Sequence, residues 1–116
     1  MKESYDVIVV GAGGAGMSAA LAAGHQKLDT VLIEKSDYFG GSTARSGGGV
    51  WIPGNHALRE AGQVSPDDAE QAKLYLDSIV GDAVPKLRRD TYIDRGPEVM
   101  DFINKTTPVR FKWVPN

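Results

Sequence analysis

The feature that most constrains this chain is a glycine-rich turn placed directly after a short apolar run. The run is Val7–Val10, and the glycines that follow it have the spacing G-x-G-x-x-G: Gly11, Gly13 and Gly16. An alanine-rich segment comes next, and a second apolar run, 30–33, ends at the acid Glu34. A strand, a tight turn, a helix and a second strand use residues of these types in this order. The pattern therefore predicts an α/β fold with a dinucleotide-binding βαβ unit over residues 5–35.

Each glycine of the turn has a physical reason. Gly11 permits a sharp turn off the strand, Gly13 has no side chain to hold a pyrophosphate away from the backbone, and Gly16 lets the helix pack close to the sheet. The helix, predicted to begin near Gly14, then presents free N–H groups and its positive dipole end to the phosphates. The predicted phosphate-binding turn comprises Gly11, Ala12, Gly13, Gly14, Ala15 and Gly16.

Two further predictions concern the ends of the strands. The first strand, from Tyr5 to Val10, does not alternate, which predicts a parallel strand buried on both faces. Glu34 follows the last glycine at close to the ~20 residues expected for an acid that accepts hydrogen bonds from an adenosine ribose. Lys35 stands beside it. A carboxylate there repels a 2′-phosphate, so NADP is not expected, whereas NAD stays open on this first turn alone.

A second glycine-rich stretch follows, and we interpret residues 36–52 as a ligand-contacting loop. Glycines and hydroxyl residues cannot build a core, but they suit close backbone contact with a ligand, with hydroxyl donors for phosphate or ring heteroatoms. A flexible linker is the alternative, and the apolar residues on both sides of the loop disfavour it. The candidate contacts are Gly41, Ser42, Thr43, Ser46, Gly47, Gly48 and Gly49.

The remainder of the chain is predicted to be mainly helical. Ser65 and Pro66 followed by acids indicate a helix start, and the helical segment is expected to cover residues 65–105. Gly96 and Pro97 are read as a break between two helices, one from about Pro85 and a short third one. Apolar and basic residues alternate at the end of the chain, which predicts a half-buried strand over 108–114.

Composition limits the possible functions. The chain has 116 residues and a formal net charge of −2, with both signs scattered, so a nucleic-acid partner is not expected. There is no cysteine for thiol chemistry, and the only histidines, His25 and His56, have no metal-ligand spacing around them, so no metal site is predicted. No apolar run approaches the ~18 residues of a membrane span. A cytoplasmic protein is the expectation.

Both glycine segments together resemble a known family. VIVVGAGGAGMSAA, TVLIEK and especially GGSTARSGGGVWIPGN are similar to the FAD-dependent fumarate reductase/succinate dehydrogenase flavoprotein superfamily, and look most like its 3-ketosteroid Δ1-dehydrogenases. Later segments, SPDDAEQAKLYLDSIVGDAVP, YIDRGPEVMDFI and FKWVPN, also look like that subfamily. The resemblance covers nearly the whole chain but only the start of a family enzyme, which implies the N-terminal portion of a larger two-domain flavoprotein.

The resemblance implies FAD as cofactor. The first turn would then hold the pyrophosphate, Glu34 with Lys35 beside it the adenosine ribose, Gly41–Thr43 the phosphates and ribityl chain, and Ser46–Gly49 the flavin ring. The family reaction is 1,2-desaturation of a 3-ketosteroid, with hydride from C1 to flavin N5 and the C2 proton to a tyrosine. None of the tyrosines present matches the family's catalytic ones, so no catalytic residue is assigned to this chain: Tyr5, Tyr38, Tyr75 and Tyr92.

Consequently we expect a complementing segment or second chain to supply the catalytic tyrosines. Two alternatives stay open: another enzyme of the superfamily, acting on a Δ4 steroid bond or a dicarboxylate, and a non-catalytic FAD-binding fragment or subunit. One departure from the resemblance concerns the end of the first helix, where Lys27 stands in place of the glycine usual in relatives.

Overall fold

The computed structural model describes residues 2–115, which divide into two compact units, 2–50 and 51–115. The first unit contains two strands, a helix and a short 3-10 turn, and the second contains three helices and a further 3-10 turn. In chain order the elements are β1 Val7–Val10, α1 Gly14–His25, β2 Thr30–Ile33, the 3-10 turn Thr43–Arg45, α2 His56–Glu60, α3 Asp68–Val80, the 3-10 turn Gly81–Ala83 and α4 Lys86–Thr106.

The first unit has the predicted βαβ arrangement. β1 and β2 pair in parallel, with Val7 opposite Thr30 and Val10 opposite Ile33, and α1 forms the crossover and packs on both strands. Parallel strands need such a crossover because the end of the first strand and the start of the second lie at opposite ends of the sheet. The strand order and the parallel pairing confirm the α/β fold class.

The prediction that β1 is buried on both faces is wrong for this chain. Every second residue of the strand is exposed, with Ile8 59% and Val10 82% accessible, and Ile33 at the end of β2 is 48% accessible. α1 is the element that packs on the two-stranded sheet. A face without a covering layer stays in contact with solvent whatever its residues are.

Helix α1 ends in a Schellman motif built on a lysine. Lys27 has φ +62°, the left-handed conformation, and it is the non-glycine residue with positive φ in the described part of the chain. The amide of Leu28 donates to the carbonyl of Ala23 (3.2 Å) and the amide of Lys27 to that of Gly24 (2.9 Å). These are the two bonds that define the motif. The helix therefore ends in the motif that usually has glycine at this position, here with a residue that adopts the left-handed conformation less readily.

The predicted break at Gly96 and Pro97 is wrong, because helix α4 continues through both residues. It is one helix over Lys86–Thr106, with Pro97 inside it. Its buried residues have helical spacing, and Gly96 is one of them: Arg89, Ile93, Gly96 and Met100. A Cβ on Gly96 would stand 2.7 Å from Cγ2 of Ile52, so this glycine allows a close side-chain approach. Packing along the buried stripe outweighs the hydrogen bond that proline cannot donate.

Two further predictions in the second unit need correction. α3 begins at Asp68, after a turn in which the Asp68 carboxylate accepts from the amide of Ser65 (2.9 Å), so the Ser65 hydroxyl is not the helix cap. Residues 108–114 do not form a strand. The amide of Val109 donates to the hydroxyl of Thr107 (3.1 Å), and the Arg110 guanidinium donates to nearby carbonyls. A strand requires a hydrogen-bonded neighbour, and the described residues 2–115 provide none there.

The second unit is held together by aromatic and ionic contacts. Trp51 stacks on Tyr92 (ring centroids 6.4 Å apart) and meets Tyr75 edge-on (5.8 Å). Arg89, which is buried, donates to the Asp77 carboxylate (2.6 Å) and to carbonyls of the bend between α3 and α4. None of the helices within 2–115 has the length and apolar character that crossing a membrane requires.

Candidate functional site

The first glycine turn is shaped by the packing of the backbone on itself. Gly11 has φ +99°, and its amide donates to the carbonyl of Ile33 at the end of β2 (2.7 Å). A Cβ on Gly16 would lie 1.8 Å from the Gly11 carbonyl oxygen, a distance that no side chain can occupy. Gly11 and Gly16 are thus required by the fold itself, whatever the turn binds.

Gly13 is different, because a Cβ there would meet no protein atom within 4 Å. Its backbone is extended (φ −77°, ψ −178°), a conformation that any residue adopts. It precedes α1, whose N-terminus receives no side-chain cap and has no acidic residue in its first turn. The positive end of the helix therefore lies beside a position where the absence of a side chain serves no packing purpose.

The second glycine stretch folds against the first. Gly40 forms a parallel bridge with Gly13, and its amide donates to the carbonyl of Ala12 (2.7 Å). A Cβ on Gly41 would lie 3.2 Å from Cα of Gly13, and a Cβ on Gly14 would lie 2.8 Å from Oγ1 of Thr43. The structure thus brings residues 40–43 beside residues 12–14, which lie far from them in sequence.

The later part of the loop is exposed and makes local bonds. Ser42 precedes the 3-10 turn, and Ser46 follows it, with the Ser46 hydroxyl donating to the carbonyl of Thr43 (2.8 Å) and accepting from the amide of Gly48 (3.2 Å). A Cβ on Gly47, Gly48 or Gly49 would meet no atom within 4 Å. These residues form an open loop, and the two bonds of the Ser46 hydroxyl stay within it.

Glu34 binds the protein's own turn. Its Oε2 accepts from the amide of Ala12 (2.7 Å) and its Oε1 from the amide of Ser36 (3.0 Å). These two backbone bonds, Ala12 first, lower the pKa of Glu34 from 4.5 to about 2. Lys35 is exposed beside it. The carboxylate is therefore ionised at neutral pH and lies at the turn. Its bond to Ala12 could not be predicted from the sequence, and its role at a ribose stays a prediction.

Sequence reasoning missed two residues of this site. Gly40 has φ +107° and pairs with Gly13. Ser36 donates to Glu34, and its hydroxyl also donates to the carbonyl of Tyr38 (2.6 Å). The glycine doublet at 40–41 was a usable signal for Gly40, because two adjacent glycines often mark close backbone contact. Nothing in the sequence distinguishes Ser36 from another loop serine.

The geometry fits a dinucleotide with a diphosphate. The uncapped helix end, the space at Gly13 and the absence of acids in the first turn of α1 suit an anion. Glu34 supplies an acceptor at the edge of the same turn. Within 2–115, no group of three or more histidine, cysteine or acidic side chains is placed to hold a metal ion.

Comparisons with known proteins agree with this geometry. The family model described as "FAD binding domain" matches residues 6–115. A 3-oxosteroid 1-dehydrogenase of Mycolicibacterium smegmatis is 54% identical over 113 residues, which are 97% of this chain and 20% of that protein. A 4-oxocyclohex-2-ene-1-carboxylate 5-dehydrogenase of Sinomonas cyclohexanicum is 42% identical over 106 residues, 91% of this chain and 17% of that enzyme.

A solved structure is similar as well. The 3-ketosteroid Δ1-dehydrogenase of Sterolibacterium denitrificans, in complex with 1,4-androstadiene-3,17-dione, superposes with a TM-score of 0.76 at 36% identity. The superposition covers 90% of this chain and 18% of that one. This chain spans about one fifth of the curated relatives it matches. By the match over nearly its whole length, the chain belongs to the FAD binding domain family.

Proposed function

We propose that this chain is the FAD-binding portion of a flavin-dependent oxidoreductase of the 3-ketosteroid Δ1-dehydrogenase type. The observation that carries the proposal is the pairing of Gly13 with Gly40, which assembles both glycine segments around the uncapped end of α1. A single glycine turn would suit NAD equally well. The second segment, folded against the first, favours FAD, and the family match supports it.

Each part of the site has a proposed role. Residues Gly11–Gly16 bind the pyrophosphate through backbone amides and the helix dipole. Glu34, with Lys35 beside it, binds the adenosine ribose, and its Oε2 has a lone pair left for a ribose hydroxyl after the bond from Ala12. Gly41–Thr43, which pack on the first turn, follow the phosphates and ribityl chain. Ser46–Gly49 contact the flavin ring.

When bound, FAD supplies a two-electron acceptor, which the 1,2-desaturation of a 3-ketosteroid requires. This chain's residues hold and orient that acceptor. We propose that the tyrosine base and the steroid pocket come from a further polypeptide segment. In support, Tyr75 and Tyr92 both pack on Trp51, and the Tyr92 hydroxyl donates to the Trp51 carbonyl, so both have structural roles.

A second candidate is a flavoenzyme of the same superfamily that acts on a smaller cyclic ketone. The Sinomonas cyclohexanicum relative, whose name gives a cyclohexene carboxylate as substrate, is 42% identical to this chain. The residues that would discriminate a steroid from a small ring are those that contact the substrate. A non-catalytic FAD-binding subunit is the third possibility, and it predicts bound FAD without turnover.

Equilibrium titration with FAD tests the cofactor proposal. The chain should quench flavin fluorescence at a 1:1 ratio, and Gly13→Val should abolish binding because its side chain would fill the open space beside the helix end. Gly24→Val is the matched control, since Gly24 lies near the other end of α1 and a Cβ there also meets no atom within 4 Å. Normal flavin binding by a folded Gly13→Val variant would reject the assignment of this turn.

A chimera tests whether this chain can hold the flavin in a catalytically useful position. This chain replaces the matching segment of the M. smegmatis 3-oxosteroid 1-dehydrogenase, to which it is 54% identical. The chimera should retain flavin and dehydrogenate a 4-ene-3-ketosteroid with an artificial electron acceptor. Because the host enzyme supplies the substrate pocket, a folded chimera without flavin, or with flavin and no steroid turnover, would reject the role of this chain in holding the cofactor for that reaction.

A further inference from the structure

One residue, Ala12, joins three parts of the candidate site. Ala12 is 1% exposed. Its amide donates to Glu34 Oε2 (2.7 Å), and its carbonyl accepts from the amide of Gly40 (2.7 Å). The end of β2, the first glycine turn and the second glycine stretch therefore meet at the two peptide groups that flank Ala12.

The bond from Ala12 to Glu34 has the features of a strong one. It joins a backbone amide to an ionised carboxylate, and such charge-assisted bonds are about twice as strong as neutral ones. The opposite carboxylate oxygen is fixed by the amide of Ser36 (3.0 Å), so the Glu34 side chain is held from both sides. These bonds lie within the chain itself and need no ligand.

We propose that Glu34 is a positioning residue for the phosphate-binding turn: by holding the Ala12 amide it fixes the turn in its binding conformation, in addition to any bond to a ribose. The inference rests on the proposed FAD-binding function and deepens it. A bond made before the ligand arrives removes part of the ordering cost of binding, which is how preorganisation raises affinity.

Simple electrostatics gives the opposite expectation for one measurable quantity. Glu34 carries a negative charge beside a site for an anion, so its removal should tighten binding of a bare anion if charge repulsion were its main effect there. A positioning role predicts that its removal weakens binding of the same anion. The sign of the change therefore separates the two accounts.

The test uses two fragments of the dinucleotide on the full chain, each titrated separately by NMR. Inorganic pyrophosphate probes the turn without a ribose, and adenosine probes the ribose contact without phosphates. Glu34→Ala should weaken pyrophosphate binding about tenfold, and Glu34→Gln, which keeps an acceptor oxygen, should lie between it and the wild type. Hydrogen exchange of the Ala12 amide should accelerate in the same order without any ligand.

Asp6→Ala provides the matched control, since like Glu34→Ala it removes both acceptor oxygens. The Asp6 carboxylate accepts a hydrogen bond from the amide of Asp29 (2.8 Å) near the other ends of the same two strands. It therefore makes a comparable carboxylate–amide bond that is distant from the turn. This variant should leave pyrophosphate affinity and Ala12 exchange as in the wild type. If it weakened pyrophosphate binding as much as Glu34→Ala does, a general loosening of the βαβ unit would explain the effects of both variants. The proposed positioning role of Glu34 would then be wrong.

The outcomes distinguish the inference from the function on which it rests. Unchanged or tighter pyrophosphate binding in Glu34→Ala, with weaker adenosine binding, would leave Glu34 as a ribose acceptor alone and overturn the inference while the FAD proposal stands. Unchanged Ala12 exchange would overturn it without reference to ligands. A wild-type chain that bound neither FAD nor pyrophosphate would overturn the proposed function, and the inference with it.

Discussion

At the scale of single residues, the glycines of the first turn have different structural roles. Gly16 is required by packing, because a Cβ there would lie 1.8 Å from a backbone oxygen, whereas Gly13 stands beside open space. The G-x-G-x-x-G pattern predicted all three glycine positions, since each needs the absence of a side chain. It could not tell which glycine serves the fold and which serves a ligand, because that depends on atoms from outside the motif.

The substitutions Gly16→Ala and Gly13→Ala should therefore change different properties, the first stability and the second FAD binding. Gly16→Ala should lower the free energy of unfolding by about 3 kcal/mol or more, because backbone must move to admit the methyl group. Gly13→Ala should leave the free energy of unfolding nearly unchanged and weaken FAD binding. Urea denaturation followed by circular dichroism measures the first effect and flavin titration the second; equal stabilities of the two variants would contradict the packing argument.

Lys27 offers a second residue-scale prediction. At φ +62° a lysine is strained by about 1–2 kcal/mol relative to the right-handed conformation. Glycine would relieve this strain, but its greater freedom in the unfolded chain offsets part of the stabilisation. Lys27→Gly should raise the free energy of unfolding by about 0.5–1 kcal/mol. Gln26→Gly, one residue earlier at φ −81°, is the control and should lower it; a destabilised Lys27→Gly variant would count against the Schellman ending.

At the scale of elements, hydrophobic patterns predicted β1, α1 and β2 well because their contacts are local to the βαβ unit. Prediction failed where a partner decided the outcome. Gly96 and Pro97 look like a break in isolation, yet the residues around them belong to one buried stripe of α4, and Ile52 fills the space beside Gly96. Residues 108–114 alternate like a strand, but a strand forms only where a neighbour completes its hydrogen bonds.

The contact between Ile52 and Gly96 is testable by a double-mutant cycle. Gly96→Ala should lower the free energy of unfolding by about 1–3 kcal/mol, because the new methyl group would stand 2.7 Å from Cγ2 of Ile52. Ile52→Ala removes the obstructing atoms, so the double variant should lose less than the sum of the two single losses. Strict additivity in urea denaturation would show that the two residues do not touch.

The hydrogen bond between Glu34, which follows β2, and Ala12 in the glycine turn predicts that the stability of the fold depends on pH. The folded-state pKa of Glu34 is about 2, below its ordinary 4.5. Its contribution to stability is therefore complete above pH 4.5 and is lost as the pH falls toward 2. The difference in urea midpoint between the wild type and Glu34→Gln should shrink over that range, with Asp6→Asn as the reference variant; a difference that stays constant with pH would contradict the lowered pKa.

At the scale of the whole molecule, the exposed sheet face is the main departure from an ordinary parallel sheet. Parallel sheets are usually covered on both faces, yet Ile8 and Val10 are 59% and 82% exposed. Apolar residues placed this way predict binding of a hydrophobic dye. Ile8→Thr with Val10→Thr should lower dye binding and change the free energy of unfolding by less than about 0.5 kcal/mol for each site; a large loss of stability would mean that this face is buried in solution.

Native mass spectrometry of the chain with added FAD and NAD measures which cofactor it binds. The 12.4 kDa species should gain the mass of one FAD, NAD should not displace it, and Gly13→Val should show no such gain. A folded chain whose mass stays unshifted at saturating FAD, or that takes up NAD in preference, would show that FAD is not its cofactor.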